Sequence, residues 1–306
     1  MKVAVIGSGA MGSLYGAKLS SINQVFLIDV WKEHIDRINK SGLTTIEADG
    51  REMTVHPKGS YTSEDLPVMD LVLIFVKSIH TKNSILENRN IIGENTLVLT
   101  LQNGYGNDQD IMSVAKPENV VIGTTSHGCT MKGPGLIYHA GSGITEIGSA
   151  TGDTGKAEAA ARILRSGGFE VEVNIDIKRI VFHKLFINTG INALTAIFDV
   201  SNGMISTCPE LKNASRLLIG EAVKIASLAG VDFDEEEVFK SVLDVSEATS
   251  GNISSMRADV LKHRPTEIEK INGAFVSLAK DHGLDAPANS LITQMIRFLE
   301  SNYPAE

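Results

Sequence analysis

Strand-like apolar runs separated by helix-like segments characterise the first half of the chain. Helical spacing covers Leu14–Leu19 and Gly155–Ser166, and the glycine-bearing segments Gly133–Gly135 and Gly141–Gly148 predict turns of an antiparallel edge hairpin. Strand-like runs occur at Lys2–Ile6, Gln24–Ile28, Asp70–Val76, Thr96–Leu101, Val120–Thr125 and Glu170–Val173. Near-continuous apolar strands are typical of a parallel sheet that is buried on both faces. The pattern therefore predicts an α/β fold with a doubly wound, Rossmann-type sheet over residues 1–174.

The second half, residues 175–306, has helical spacing throughout. The predicted helices are Ile180–Phe198, Pro209–Leu228, Asp234–Ala248, Thr266–His282 and Ser290–Asn302. Asp199–Gly203 and Gly230 interrupt the periodicity and mark helix ends. Because Ile180–Phe198 is long and mostly apolar, we expect it at the centre of an all-helical C-terminal domain.

A glycine-rich loop follows the first strand. The segment Gly7-Ser8-Gly9-Ala10-Met11-Gly12 has the form G-x-G-x-x-G and leads directly into a helix. The first glycine permits a tight turn, the second allows close approach of a pyrophosphate, and the third lets the helix pack on the strand. The helix N-terminus favours the phosphate charge. Strand, loop, helix, strand and acid in this order predict a dinucleotide site rather than a turn that binds nothing.

The acid that ends the second strand indicates which dinucleotide is bound. Asp29 can accept hydrogen bonds from both ribose hydroxyls of NAD, whereas it would repel the 2′-phosphate of NADP. Val30 and Trp31 supply no cation, and Lys32 and Arg37 are the nearest residues that would reverse this preference. The sequence thus favours NADH over NADPH.

A polar stripe runs along the apolar helix Ile180–Phe198. Lys184, Asn188 and Asn192 are spaced four residues apart and therefore project from one face of the helix. One ammonium and two carboxamides suit the polarisation of a carbonyl oxygen and the binding of a small polar substrate. The alternative is a partly buried helix whose polar edge meets another domain.

Several polar residues follow the predicted strands. Lys77 and Asn103 lie beyond carboxyl ends of strands, where ligands of parallel sheets bind, although a solvated lysine and an Asn-Gly turn are alternatives. His127 at a strand end is more often a structural hydrogen-bonding residue than a catalytic acid. Cys129 has no evident partner for nucleophilic chemistry, so its backbone matters more than its thiol. The spacing of cysteines and histidines does not resemble a metal site.

Two segments of the helical half carry further candidates. Asn252 and Ser255 belong to a cluster of small hydrogen-bonding residues that can hold a carboxylate without adding charge, or simply cap a helix. Glu267 lies near the predicted start of a helix, where a glutamate is also expected for structural reasons.

Composition excludes several protein classes. The chain has 306 residues, enough for two domains, and its net charge of −9 argues against binding nucleic acid. Two cysteines are too few for a disulfide framework. The N-terminus does not resemble a leader, and we expect that no run approaches the roughly 18 apolar residues needed to span a bilayer. We therefore expect a cytoplasmic soluble protein that does not bind membranes.

Together these residues resemble the ketopantoate reductases (2-dehydropantoate 2-reductases) over nearly the whole chain. The matching pieces of the first half are GSGAMG at Gly7–Gly12, VKSIH around Lys77, QNGYG at Gln102–Gly106 and GTTSHG at Gly123–Gly128. Those of the second half are HKLFINTGINALTAIFDVSNG from His183, NISSM from Asn252 and RPTEIEKINGAF from Arg264. The resemblance implies reduction of 2-dehydropantoate to D-pantoate in pantothenate biosynthesis, and a homodimer whose helical domain binds substrate.

The resemblance also implies individual roles. Lys184 is implied as the general acid at the keto oxygen, with Glu267 near it and near the cofactor. Asn103 is implied to be shared between nicotinamide and substrate, Cys129 to contact the cofactor through its backbone, and Ser255 to bind the substrate carboxylate. Substrate-site residues are thus expected at Asn103, Lys184, Asn188, Asn192, Asn202, Asn252 and Ser255.

One departure from the family pattern leaves two alternatives open. Many members carry a basic residue after the second strand and use NADPH, whereas this chain has Asp29-Val30-Trp31. Some NAD-using relatives are D-2-hydroxyacid dehydrogenases that act on other branched or aromatic 2-keto acids, and they would need the same lysine, asparagines and serine. A non-catalytic NAD-binding sensor would not need the polar stripe.

Overall fold

The computed structural model describes residues 1–304, which form two compact units. The first comprises Met1–Gln102 and Gly106–Ile180, and the second comprises Asn103–Tyr105 and the chain from Val181 onward. The domain boundary predicted after residue 174 lies shortly before the division at Ile180. The assignment of Asn103–Tyr105 to the second unit was not predicted from the sequence.

The strands of the first unit form two sheets. Strands β1 to β12 are Lys2–Ile6, Gln24–Ile28, Leu43–Glu47, Glu52–Val55, Lys58–Ser60, Leu71–Ile74, Leu97–Thr100, Val120–Thr125, Gly128–Gly133, Leu136–Gly141, Thr145–Ser149 and Val171–Val173. The larger sheet has the order β12-β11-β8-β7-β6-β1-β2-β5, and the smaller sheet has the order β4-β3-β10-β9. In the larger sheet the pairing is parallel except between β8 and β11. The predicted doubly wound sheet is confirmed.

The helices α1 to α5 of this unit cover both faces of the larger sheet. They are Ala10–Leu19, Lys32–Ser41, Thr81–Glu87, Asn107–Met112 and Thr154–Ser166. Alternate residues of β1 enter different apolar clusters, since Val3 and Val5 pack with Tyr15 on one face while Ala4 and Ile6 pack on the other. Burial on both faces explains why these strands read as continuous apolar runs.

The prediction for the glycine-bearing segments was partly wrong. Gly133–Gly135 does turn between β9 and β10, which pair antiparallel, but this hairpin belongs to the smaller sheet. The C-terminal half of the second segment, Gly141–Gly148, is not a turn, because Thr145–Ser149 forms β11 and pairs with β8 in the larger sheet. Sheet membership is set by pairing with distant strands, which local glycine content does not encode.

The second unit is helical. Helices α6 to α12 are Ile177–Phe198, Met204–Thr207, Pro209–Ala226, Glu235–Ala248, Ser255–Val260, Asn272–Asp281 and Pro287–Ser301. Phe182, Phe186 and Phe275 are fully buried in its core, and the rings of Phe186 and Phe275 stack at 5.7 Å. The first turn of α6 lies before the division, and the rest of the helix runs through this core.

The prediction of one helix over Thr266–His282 was wrong. Ile268–Lys270 forms a single 3₁₀ turn, Ile271 leaves helical geometry at φ −106° and ψ −93°, and α11 starts at Asn272. The carbonyl of Lys270 instead accepts a hydrogen bond of 2.9 Å from the N–H of Tyr105. A contact made by a distant segment thus accompanies the break.

By length and mean hydropathy, α6 is a candidate membrane span. An 18-residue window reaches a mean hydropathy of 1.3 although polar residues interrupt the apolar run, whereas no run long enough to span a bilayer was predicted. This window is 61% buried within the protein, and core helices of globular proteins meet the same criterion. The feature is therefore weak support for a membrane span.

Candidate functional site

The glycine-rich loop turns tightly after β1 and leaves part of its backbone open. Gly7 adopts φ +90°, and a Cβ there would lie 2.4 Å from the amide nitrogen of Val76. A Cβ at Gly12 would lie 2.0 Å from the carbonyl oxygen of Gly7, so this glycine lets α1 pack on the strand. Gly9, which caps α1, has no neighbour within 4 Å of a built Cβ and leaves open space before the helix N-terminus. The loop can therefore admit a phosphate group close to its backbone.

Asp29 is held in place by backbone donors. Its Oδ2 accepts a hydrogen bond of 2.6 Å from the N–H of Ser8, and its Oδ1 accepts one of 2.9 Å from the N–H of Trp31. These two bonds fix the carboxylate at the carboxyl end of β2, next to the glycine-rich loop. Its remaining lone pairs are available to ligand hydroxyl groups.

A cavity of about 310 Å³ adjoins this carboxylate. Three acidic residues, Asp29, Glu64 and Glu87, are among those that line it, and among residues 1–304 no lysine or arginine does. Lys32 is exposed, and the stem of Arg37 packs beside Gly135. The cavity is lined by Ile6, Gly7, Ile28, Asp29, Val30, Tyr61, Thr62, Ser63, Glu64, Val76, Ser84, Glu87 and Asn88. Its charge suits neutral hydroxyl groups better than an additional phosphate.

Two other candidates of the first unit are Cys129, which lies beside the glycine-rich loop, and Lys77, which follows β6. Cys129 lies on β9, and its Sγ is 3.3 Å from the carbonyl oxygen of Ala10. Burial raises the pKa of this thiol to about 12, so it is not a thiolate nucleophile at neutral pH. Lys77 is half-buried and immediately precedes a 3₁₀ turn at Ser78–His80.

His127 is part of a hydrogen-bonded chain of side chains. Its Nδ1 lies 3.0 Å from Nε2 of His139, and Nδ1 of His139 lies 2.6 Å from Oε2 of Glu47. Burial, followed by the nearby charge of His139, lowers the pKa of His127 to about 4. The chain joins the end of β8 to strands β10 and β3 of the smaller sheet, which is a structural arrangement.

The polar stripe of α6 is completed by the start of α10. Lys184 and Asn188 are half-buried, whereas Asn192 is 5% exposed and its Nδ2 donates to Oγ of Ser255 at 3.5 Å. The hydroxyl groups of Thr195 and Ser254 are 2.8 Å apart. These contacts place Ser255 beside the stripe, although 63 residues separate it from Asn192.

Asn202 and Asn252 belong to one loop network. The N–H of Asn202 donates to the carbonyl of Asn252 at 3.1 Å, and its side-chain Nδ2 donates to Oγ1 of Thr249 at 3.0 Å. The Oδ1 of Asn202 is buried and has no hydrogen-bond partner within residues 1–304. Asn252 is exposed and lies three positions before Ser255.

Asn103 and Glu267 also meet in the second unit, through a hydrogen bond from Nδ2 to Oε2 of 3.5 Å. Gly104 adopts φ +94° and lies directly against Lys270. The segment Asn103–Tyr105 is therefore docked on the 3₁₀ turn that follows Glu267.

Several residues around these sites were not identified from the sequence. Ser13 and His34 form hydrogen bonds behind the glycine-rich loop, and Tyr61, Glu64 and Glu87 line the cavity. Ser13 directly follows the glycine motif, which is a usable signal. The others come from segments without a recognisable motif, and only folding brings them to the loop. Within residues 1–304 there is no cluster of three histidine, cysteine, aspartate or glutamate side chains able to hold a metal ion.

Comparison with known proteins gives full-length similarity to one family. Residues 3–152 match the family model described as ketopantoate reductase PanE/ApbA, and residues 176–300 match the model of its C-terminal part. The 2-dehydropantoate 2-reductase of Halobacterium salinarum is 33% identical over 98% of this chain and 99% of its own length. That of Pyrococcus horikoshii is 31% identical over 98% of both chains.

Among solved structures, the ternary structure of D-mandelate dehydrogenase with NADH and anilino(oxo)acetate is highly similar. It has a TM-score of 0.92 and 30% sequence identity, and the match covers 98% of this chain and 99% of that chain.

Proposed function

The chain belongs to the ketopantoate reductase family, and on this premise we propose that it reduces 2-dehydropantoate to D-pantoate, a step of pantothenate biosynthesis. The observation that carries the proposal is the stripe of Lys184, Asn188 and Asn192, with Ser255 beside it. This set supplies one cation and several neutral hydrogen-bonding groups on one side of a helix. A small 2-keto acid needs both.

The residues of the first unit fit a nicotinamide dinucleotide. Gly7–Gly12 would hold the pyrophosphate, and Asp29 would accept the adenosine ribose hydroxyls. Lys77 and the backbone of Cys129 would add contacts from this unit, and Asn103 of the second unit is a further proposed contact. When bound, the cofactor supplies the hydride that adds to the C2 carbonyl carbon of the substrate.

Lys184 would act at the keto oxygen. Its ammonium polarises the C=O bond and donates a proton to the oxygen as negative charge develops there. Lys184 is half-buried on α6, and partial exclusion of water strengthens the electrostatic stabilisation that an ammonium provides relative to bulk water. Glu267 would assist Lys184. The hydrogen bond between Asn103 and Glu267 holds these two side chains together.

The amides and the serine would orient the substrate. Ser255 and Asn252 would hold its carboxylate, while Asn188, Asn192 and Asn202 would bind its remaining polar groups. The unpartnered Oδ1 of Asn202 and the long contact between Asn192 and Ser255 leave hydrogen-bonding capacity for a ligand. Fixing several groups at once presents one face of the carbonyl for reduction.

NADH is proposed as the preferred cofactor. Asp29, Glu64 and Glu87 line the cavity beside the glycine-rich loop. A 2′-phosphate placed there would meet like charge, whereas ribose hydroxyls would meet acceptors.

A second candidate is an NAD-dependent D-2-hydroxyacid dehydrogenase acting on other branched or aromatic 2-keto acids. It is favoured by the similarity to D-mandelate dehydrogenase in complex with NADH, together with Asp29. The lysine, asparagines and serine would serve both reactions, and the shape of the pocket would select the substrate.

Steady-state kinetics distinguish these functions. We would measure the oxidation of NADH and of NADPH with 2-dehydropantoate, 2-ketoisovalerate and phenylglyoxylate. The highest kcat/KM with 2-dehydropantoate and NADH is the expected result. A higher value for another keto acid would assign a D-2-hydroxyacid dehydrogenase, and NADH binding without any turnover would assign a non-catalytic sensor.

A homodimer is proposed as the functional form. Leu291, Met295 and Phe298 are 65%, 39% and 68% exposed, and their spacing places them on one face of α12. An exposed apolar stripe of this kind fits a second copy of the chain. Light scattering after size-exclusion chromatography should give twice the monomer mass, and Phe298→Glu should shift the protein towards monomer.

A further inference from the structure

We propose that His34 is a positioning residue for dinucleotide binding, acting on the glycine-rich loop through Ser13. The inference rests on the proposed function, because it assigns the loop Gly7–Gly12 to the cofactor. It concerns a residue that has no contact with the cavity itself.

The hydrogen bonds around His34 define its tautomer. The N–H of Gly135 donates to Nδ1 of His34 at 3.0 Å, so Nδ1 must be the unprotonated nitrogen. Nε2 therefore carries the proton and donates to Oγ of Ser13 at 3.2 Å. The hydroxyl of Ser13 donates in turn to the carbonyl oxygen of Ser8 at 2.7 Å. These three hydrogen bonds connect Gly135, in the turn between β9 and β10, with Ser8 in the glycine-rich loop.

These hydrogen bonds hold the carbonyl group of Ser8, and Asp29 holds its N–H group. The N–H of Ser8 donates to Oδ2 of Asp29 at 2.6 Å, while its carbonyl accepts from Ser13. Both hydrogen-bonding groups of the Ser8 backbone are thereby fixed by side chains. The orientation of the peptide planes that face the phosphate site depends on these two anchors.

The surroundings of His34 keep it in the required form. The side chain is fully buried, and its ring stacks on Trp31 at a centroid distance of 5.0 Å. Burial lowers the pKa of His34, although the nearby charge of Asp29 and a backbone hydrogen bond with Ser8 act in the opposite direction, and the net shift favours the neutral imidazole. A fully buried ring does not contact a ligand, so its influence on binding passes through its contacts with the loop, namely the hydrogen bond to Ser13 and the interaction with the Ser8 backbone.

Loss of the hydrogen bonds from His34 through Ser13 to Ser8 is expected to weaken NADH binding more than catalysis. Without its anchor the Ser8 carbonyl can rotate, and the loop amides lose their alignment with the pyrophosphate. Kd for NADH should rise roughly tenfold, about the factor that one hydrogen bond contributes. The kcat at saturating NADH should change less than twofold, because Lys184 and its neighbours lie in the other unit.

Four variants separate positioning from packing. His34→Phe fills the space but makes neither bond, and Ser13→Ala removes only the last link. His34→Gln can place an amide N–H near the position of Nε2 and keep the bond to Ser13. His34→Asn can place its oxygen near the position of Nδ1 and keep only the bond to Gly135. His282→Phe, at an exposed histidine of α11's C-terminal end, is the matched control.

The measurements are NADH affinity by fluorescence titration, Tm, and KM and kcat for NADH oxidation. We expect His34→Phe and Ser13→Ala to raise Kd by similar factors, their double variant to add little, and His34→Gln to restore affinity while His34→Asn does not. If His34→Phe fails to fold, the comparison of His34→Gln with His34→Asn decides whether the bond to Ser13 matters. A Kd within twofold of the parent protein in folded Ser13→Ala overturns the inference.

The outcome is distinguishable from a failure of the proposed function. A parent protein that binds NADH but reduces none of the keto acids refutes the proposed function and leaves the role of His34 testable by affinity. A parent protein that binds neither NADH nor NADPH refutes both.

Discussion

Asn103 and Glu267 are 164 residues apart in the sequence, yet Nδ2 of Asn103 donates to Oε2 of Glu267. Asn103 lies three residues after the end of β7 but belongs to the helical unit, together with Gly104 and Tyr105. The N–H of Tyr105 anchors the segment on the carbonyl of Lys270. Any role of Asn103 in binding a ligand is thus coupled to the position of Glu267.

Gly104→Ala should disrupt this coupling. The residue adopts φ +94°, and a Cβ would lie 2.6 Å from the carbonyl oxygen of Lys270, so the segment must move. We expect kcat/KM to fall by roughly tenfold or more, since small displacements of positioning groups are costly. Gly50→Ala is a matched control, because Gly50 has φ +84° and open space around its Cβ position. Equal activity of the two variants would contradict the positioning of Asn103 by this segment.

Lys184→Ala should lose catalysis and keep cofactor affinity. Removal of a general acid lowers the rate by roughly a hundredfold to ten-thousandfold. NADH affinity, measured by fluorescence titration, should stay within about twofold of the parent value, because Lys184 contributes at most a weak contact to cofactor binding. Lys224→Ala, at an exposed lysine of α8, is the control. Near-normal turnover of Lys184→Ala would exclude Lys184 as the proton donor.

Asp29→Asn should reduce the preference for NADH. The amide replaces one of the two accepting oxygens by an NH2 group, which cannot accept from the N–H of Ser8 or Trp31 or from a ribose hydroxyl. It also removes one of three acidic groups that disfavour a 2′-phosphate. We expect the ratio of kcat/KM for NADH to that for NADPH to fall at least roughly tenfold, the effect of one charge-assisted hydrogen bond. Glu33→Gln, on the exposed first turn of α2, changes the net charge by the same amount and should leave the ratio of kcat/KM for NADH to that for NADPH unaltered.

The stability of the first unit should decrease in mild acid because of His127. Its pKa is lowered from 6.5 to about 4, so the folded protein binds this proton less readily than the unfolded chain. Stability contributed by neutral His127 is therefore lost as the pH falls from about 6.5 towards 4. His139 and Lys18 oppose its protonation, and Glu47 favours it.

His127→Asn tests this linkage. Asparagine can retain a hydrogen bond to His139 but does not titrate, so Tm should depend less on pH between 6.5 and 4 than in the parent protein. His282→Gln, at an exposed position, should keep the parent dependence. A parallel decline of Tm in His127→Asn and the parent would show that other groups govern this range.

The sequence by itself determined features that depend on local geometry. The strands at Lys2–Ile6, Gln24–Ile28 and Val120–Thr125 were predicted with their observed bounds, because continuous burial on two faces leaves a continuous apolar run. The common face of Lys184, Asn188 and Asn192 follows from helical periodicity alone. The glycine motif predicted a loop whose positive φ at Gly7 is also a local property.

Only the tertiary structure decided which distant segments meet. The contact of Asn192 with Ser255, the chain from Gly135 through His34 to Ser8, and the docking of Asn103–Tyr105 beside Glu267 join residues without a shared local pattern. The same holds for the pairing of β11 with β8 and for the helix break at Ile271. Periodicity encodes which side of an element is buried, whereas the identity of its partner depends on the free energy of the whole packed arrangement.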